Sequence, residues 1–315
     1  MLGEKAVDYF ALGLKPMSYA LSFKLLLAAD GTIEEVSIYR TKLSVIRMTY
    51  EEADAQKNSP ALAPLFAIAE KNRIRRENAG AVSIDFPEVS ITLVEQDGSK
   101  RAQIQPVVYT EAAAMIKEMM LLAGESAARF AFQHNIPFQY ISQEAPELPN
   151  KLPSGLAGEY RKRRAMRPRS VGTIPSMHAA LGLSMYGQVT SPLRRYGDLV
   201  SHRQLLNYID GKPLTPAADL IVKIAAGDVS GRACVSAERA SRQHWTLVYL
   251  LQNPDWRGTA VVLDATGKKA HIFIPSLGYE GDMTLDTEPE LNQELTVKVR
   301  RIRLAYLQVF FEQIP

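Results

Sequence analysis

The sharpest change of hydrophobic period in this chain falls at Asn253-Pro254. Up to that point a long helical run occupies about 216–251, and proline ends it because it lacks the N–H that the next turn needs. Beyond it, 256–313 break into short alternating segments: WRGTAVVLDAT, KAHIFIPS, ELTVKVRRIRLA and LQVFFEQI, with a turn at Gly267-Lys268. Helical and strand periods held in separate blocks predict an α+β fold. The tail is long enough for a small five-stranded β-barrel over 253–315, leaving 1–252 as a larger domain. With 315 residues and 46% hydrophobic content, the chain can fill both cores.

The larger part mixes both periods. Residues 18–28 read as a strand, Asp30-Gly31 as a turn, and 32–49 as the returning alternation. A short helix starts at Tyr50, and 60–77 show helical spacing that ends before Gly80. AVSIDFPEVSITLVE alternates again, with a break at Pro87, turns at Asp97-Gly98 and returns as RAQIQPVV. A helix then covers about 110–134. On it Met115, Met119, Leu122, Ser126 and Phe130 share one face, while Glu118, Glu125 and Arg129 share another. The second face is either a solvated ion-pair face or a pair of working carboxylates. QEAPELPNKLPSG reads as a surface loop.

Several classes are excluded. No apolar run approaches the roughly 20 residues of a membrane-crossing helix, so no membrane role is expected. The start MLGEKAVDYFALGLKP lacks the basic-then-apolar pattern of a secretory signal. Cys234 is the single cysteine, which rules out an internal disulfide and fits a cytoplasmic or organelle-interior location. Its helical setting suggests a small buried hydrophobe. Net charge is only +3, but six of nine residues in Arg161–Arg169 are basic, and Lys298–Arg303 is a second basic run. Such clusters suit a phosphate backbone, with a solvated loop as the plain alternative for the first.

The densest arrangement of chemistry is YGQVTSPLRRYGDLVSHR, 186–203. Ser191 and Pro192 read as cap and first turn of a helix. Arg194 and Arg195 would then lie at its positive end, where an anion would suit them. Asp198 is four residues from Arg194 and three from Arg195, and His202 is four from Asp198. Spacing alone also allows an intrahelical ion-pair ladder.

The wording of that stretch resembles the TSPxRRYxDxxxHR signature of the RNase II/RNase R (RNB) exoribonucleases. ALSF at 20–23, RRENAGAVSIDFPEV at 75–89 and IKEMMLLAGESAARF at 116–130 are similar to wording of the same catalytic domain. The resemblance implies an RNB domain, a mixed sheet with packed helices over 1–252, followed by an RNA-binding OB-fold barrel. It implies a 3′→5′ exoribonuclease that hydrolyses single-stranded RNA to nucleoside 5′-monophosphates, acting as a monomer.

The resemblance also suggests roles. Arg194 clamps a phosphate and Glu238 supports the active site. Arg195, Glu118, Tyr140, Phe138, His178, Arg167 and Arg169 contact RNA, and Asp198 and His202 give structural support. Phe138 and Tyr140 either stack on bases or belong to the core. His178 reads as a phosphate or carbonyl contact and not a metal ligand. On the barrel, Trp256, Phe273, Tyr279 and Lys298 are either RNA contacts or core. Gly124 stands where the family motif has asparagine. The family's Mg²⁺ needs a cluster of aspartates; Asp8, Asp30, Asp54, Asp85 and Asp97 are scattered, so no metal site is expected here. On this reading the chain corresponds to the C-terminal two-thirds of such an enzyme and, taken alone, binds RNA weakly without cleaving it. The alternative is a non-catalytic RNA-binding or regulatory protein of the same fold.

Overall fold

A computed structural model describes residues 2–96 and 98–314. In chain order the elements are α1 (Glu4–Phe10), β1 (Ser18–Leu27), β2 (Ile33–Leu43), α2 (Tyr50–Ala55), α3 (Ala63–Asn78), β3 (Val89–Gln96) and β4 (Ser99–Pro106). Then follow α4 (Glu111–Gln133), β5 (Tyr140–Ser142), α5 (Gly155–Ala165), β6 (Ser170–Gly172), α6 (Tyr196–Ile209) and α7 (Ala217–Gln252). The barrel strands are β7 (Arg257–Thr266), β8 (Lys269–Ile274), β9 (Tyr279–Thr284), β10 (Glu294–Arg303) and β11 (Gln308–Gln313). The chain is α+β. Asp97, half of the expected Asp97-Gly98 turn, lies outside the described residues, as does Met1.

Packing divides the chain into two compact units. The first comprises 1–83, 109–146 and 167–232, and the second 84–108, 147–166 and 233–315. In the first, β1 and β2 form an antiparallel ribbon around the Asp30-Gly31 turn, where Gly31 takes φ +87°. β5 and β6 form a second, short ribbon. The pairs among named strands are all antiparallel, and the parallel contact is an isolated bridge between Gln143 and His178. The strands of this unit pair as two short ribbons, with helices packed beside them.

Helix ends follow their sequence. Thr49 and Glu52 close a capping box on α2. Thr110 caps α4, and Asp54 accepts from the Ala112 N–H at 2.6 Å, so α2 holds the start of α4. The apolar face of α4 (Ala127, Ala128, Phe130, Ala131) packs with Ile38, Ile136, Val189 and Leu205. Burying each large apolar side chain contributes roughly 1.5–3 kcal/mol.

In the second unit β11-β10-β7-β8-β9 form an antiparallel five-stranded sheet, and β11 comes back into contact with β9. This is the nearly closed, OB-like barrel. Its core takes the inward residues Val262, Ile272, Ile274, Leu295 and Val297, with Leu247 and Leu250 from the end of α7. Of the barrel candidates, Phe273 is wholly buried. Trp256 and Tyr279 pack against Phe311, and Lys298 pairs with Glu312 at 3.0 Å. Trp256 and Tyr279 pack onto the barrel core, whereas Phe273 alternates with Ile272 and Ile274 and is buried on the outer face beneath Phe86 and Tyr160. Cys234 is exposed, contrary to expectation, because every side chain from 229 to 242 on α7 is exposed.

Candidate functional site

The stretch 186–203 builds its geometry in the first unit from two side chains of α6. Asp198, 1% exposed, receives the Ser191 N–H at 2.8 Å and both Nε and Nη2 of Arg195, at 3.1 and 2.7 Å, on one oxygen. Arg195 also donates to Thr190 Oγ1 at 3.1 Å. One turn further on, His202 Nε2–H donates to the Val189 carbonyl at 2.6 Å. Asp198 and His202 thus pin residues 189–195 against the helix.

The helix starts later than its sequence suggests. The Arg194 and Arg195 N–H groups both reach back to Ser191 O, at 3.2 and 2.9 Å, which makes 191–194 a turn with Pro192 in its second position. α6 opens at Tyr196 with Arg195 in the cap position and no side-chain cap, so Ser191 does not cap; its N–H is instead held by Asp198. Arg194 and Arg195 therefore precede the helix, and Asp198 occupies its first turn, where a carboxylate is favoured. The two arginines differ. Arg195 is committed to Asp198, whereas Arg194 is exposed and its guanidinium has no partner among the described residues.

The two carboxylates of α4 are not on a solvated face. Glu118 is 2% exposed and Glu125 1%. Arg76 spans Glu118 with Nε at 2.9 Å on one oxygen and Nη2 on the other, and its Nη1 donates to Leu181 O at 2.9 Å. Asn72 Nδ2 joins Glu118 at 2.9 Å. Glu125 is held between Arg75 and Arg129. Both oxygens of Glu118 are engaged inside the fold, so it lines no open channel here. The signal that sequence reading missed was RIRREN at the end of α3: Arg73 faces outward to Glu70 and Glu77, while Arg75 and Arg76 face α4.

Phe138 and Tyr140 are also internal. They are 0% and 4% exposed and meet edge to face with centroids 5.7 Å apart, so neither offers a ring face to a base. Burial raises the Tyr140 phenol to about 12. His178 is half-buried, with Nδ1 unpartnered among the described residues and its ring edge-on to Tyr186. Desolvation lowers the pKa of His178, and likewise that of His202.

The basic cluster is a helix end, not a free loop. In the second unit Arg161 pairs with Asp264, Lys162 with Glu159 and Arg163 with Glu280. In the first unit Arg169 meets Asp228 at 3.1 Å, and Arg167 is exposed. Glu238 lies on the exposed middle of α7, in the second unit. Arg242, one turn further along the helix, donates to Val89 O at 2.9 Å. Among the described residues no group of three or more His, Cys, Asp or Glu is placed to hold a metal.

The RNB domain profile matches residues 1–152 and 157–211, including the turn, α3, α4 and α6 just described. The chain belongs to the RNB domain family. Among curated RNB relatives, an uncharacterized ribonuclease of Synechocystis is 33% identical over 296 residues, covering 89% of this chain and 44% of the relative. Ribonuclease II, chloroplastic/mitochondrial, of Arabidopsis thaliana is 27% identical over 94% of this chain and 39% of its own length. The chain thus spans less than half of each of these relatives. Mycoplasma genitalium RNase R, solved in complex with ribose-methylated single-stranded RNA, superposes with TM-score 0.77 at 16% identity, over 95% of this chain and 58% of that one. The Dss1 exoribonuclease of Candida glabrata gives TM-score 0.80 at 20% identity, over 95% and 43%. Both share the RNB fold.

Proposed function

We propose that the protein is a 3′→5′ exoribonuclease acting on single-stranded RNA, and that this chain holds the RNA backbone through Arg194. The observation that carries the reading is the contrast between the two signature arginines. Asp198 consumes Arg195 and fixes the turn, and the same turn presents the unpartnered Arg194 guanidinium just ahead of the positive end of α6. A planar guanidinium can bind a phosphate through two parallel hydrogen bonds and offset negative charge that develops on it. Unengaged N–H groups at a helix start favour the same anion. Family membership and the ribonuclease names of the relatives support RNA as the substrate.

In this reading Arg195 and Asp198 act by positioning. The Mg²⁺ that the family uses does not fit the described residues, which offer no carboxylate cluster for it. No step assigned to this chain therefore runs through a metal.

The test is a salt titration of a labelled single-stranded RNA 20-mer against the chain and its Arg194→Ala variant. Loss of one phosphate contact should weaken binding about tenfold and reduce the slope of log K against log salt by about 0.7. Equal affinity and equal slope in the two proteins would refute the clamp.

A further inference from the structure

We infer that Gln139, Asp198 and Ser201 enclose a site for one internal water, which makes Gln139 and Ser201 positioning residues for the Asp198 carboxylate. The inference concerns the turn itself and stands whether or not RNA is the ligand.

Among the described residues five side-chain atoms are buried without a hydrogen-bond partner: Arg75 Nε, His178 Nδ1, Gln139 Oε1, Asp198 Oδ1 and Ser201 Oγ. The last three belong to one place. Gly197, Ser201 and Gln204 follow one another at spacings of four and three residues, on one face of α6. Residues 137–139 run along that face. Gln204 Nε2 donates to Pro137 O at 2.8 Å. Two turns earlier, a Cβ on Gly197 would stand 2.5 Å from Gln139 Oε1 and 2.6 Å from its Nε2, so the carboxamide rests on this glycine. Ser201, wholly buried, falls between these two contacts, and Asp198, 1% exposed, precedes it by three residues. Position 139 is fixed from the other side as well. A Cβ on Gly187 would meet Phe138 Cε1 at 2.7 Å and Gln139 O at 2.9 Å. Both glycines of the stretch 186–203 thus make room for the same two residues.

Asp198 divides its oxygens unequally. Oδ2 takes three N–H groups, from Ser191 and Arg195, and Oδ1 takes none. A buried carboxylate oxygen without a donor is costly. Gln139 Oε1 can only accept, whereas the Ser201 hydroxyl can also donate. One water has the matching valence: its two hydrogens go to Asp198 Oδ1 and Gln139 Oε1, and its oxygen accepts from Ser201. Three bonds are the usual number for an internal water. A metal cation suits the site less well. Arg195 already balances the one carboxylate, and three oxygens fall short of the six or more in a Mg²⁺ or Ca²⁺ shell. With the water in place the carboxylate is held at both oxygens, so it cannot swing away from Ser191 and Arg195.

The experiment uses the full chain with Ser201→Ala, Gln139→Met and the double variant. Oxygen-17 magnetic relaxation dispersion counts long-lived internal waters, and amide exchange by NMR reads the Ser191 N–H. The double variant should lose about one long-lived water, and its Ser191 N–H should exchange about tenfold faster. Each single variant leaves the water two partners and should do less, so the two changes are not additive. Amides of β7 and β8 should exchange as in wild type, which separates this loss from general unfolding. An unchanged water count in the double variant overturns the water site, and equal Ser191 exchange in all four proteins overturns the positioning role. Should the double variant not fold, a crystal structure of the wild-type chain decides. One ordered water bonded to all three atoms supports the site, and direct contact of the Gln139 amide or the Ser201 hydroxyl with Asp198 Oδ1 overturns it.

Discussion

Replacing Arg76 by methionine tests the account of the buried carboxylates. Arg76 gives Glu118 a hydrogen bond on each oxygen and gives Leu181 O a third, in a site where its side chain is 7% exposed and that of Glu118 3%. Methionine fills much of the volume but leaves the buried Glu118 carboxyl without its guanidinium, with Asn72 as its remaining close partner and Lys117 at 3.7 Å. Breaking a buried pair on one side costs about 3–5 kcal/mol, a large share of the 5–15 kcal/mol that typically holds a domain. Two compact units need not unfold as one, so a global melt is the wrong readout. Hydrogen exchange of α3 and α4 peptides reads the relevant opening, and protection there should fall by about two to four orders of magnitude. The double variant Arg76→Met/Glu118→Met removes both charges and should recover most of the loss. A single variant that loses less than about 1 kcal/mol, or a double variant worse than the single, would show that the pair is not the buried, mutually dependent ion pair described.

Three other outcomes follow from the same geometry. Gly182 has φ +65°, and a Cβ there would sit 2.3 Å from Arg76 O, so Gly182→Ala should lower α3 protection by at least ~1–2 kcal/mol; unchanged exchange would contradict the tight approach. Burial lowers the His202 pKa below 6.5, so between the lowered value and 6.5 the unfolded state holds more protons. Stability from His202 is therefore full above pH 6.5 and is lost as pH falls below it, and a His202→Gln variant should show a flatter stability–pH curve over that window. Tyr9, Phe10, Leu12, Leu14, Tyr19 and Leu26 are all exposed on α1, β1 and the segment between them. The chain on its own should thus self-associate with rising concentration, and sedimentation showing a monomer throughout would refute that.

Much of this fold was legible because the deciding signals are local. The Asp30-Gly31 turn, the Thr110 cap and the stop before Pro254 each act within a few residues, and the barrel follows from period-2 alternation after that stop. The site was less legible because its partners are distant. Glu118 and Glu125 meet arginines 42 and 50 residues earlier in the chain, so spacing along α4 alone could not separate a solvated face from a buried ion pair. Phe138 and Tyr140 left the choice between stacking and core open, and three-dimensional packing decided it. Ser191 and Pro192 carry a cap's chemistry, but the Arg194 and Arg195 N–H groups close a turn on Ser191 O, and the helix starts after it.

Gly124 ties α4 to the 186–187 segment. A Cβ at this position would lie 2.3 Å from Tyr186 Cε2 and 2.5 Å from Gly187 O, so Tyr186 occupies the room that a side chain at 124 would need. The family wording has asparagine there. Two neighbours of different kinds close the position: the Tyr186 ring is a side chain that substitution could trim, but the Gly187 carbonyl is backbone and stays whatever residue stands at 186. Any side chain at 124 therefore requires the 186–187 segment itself to move away from α4, and with it the start of the stretch that carries Arg194 and Arg195.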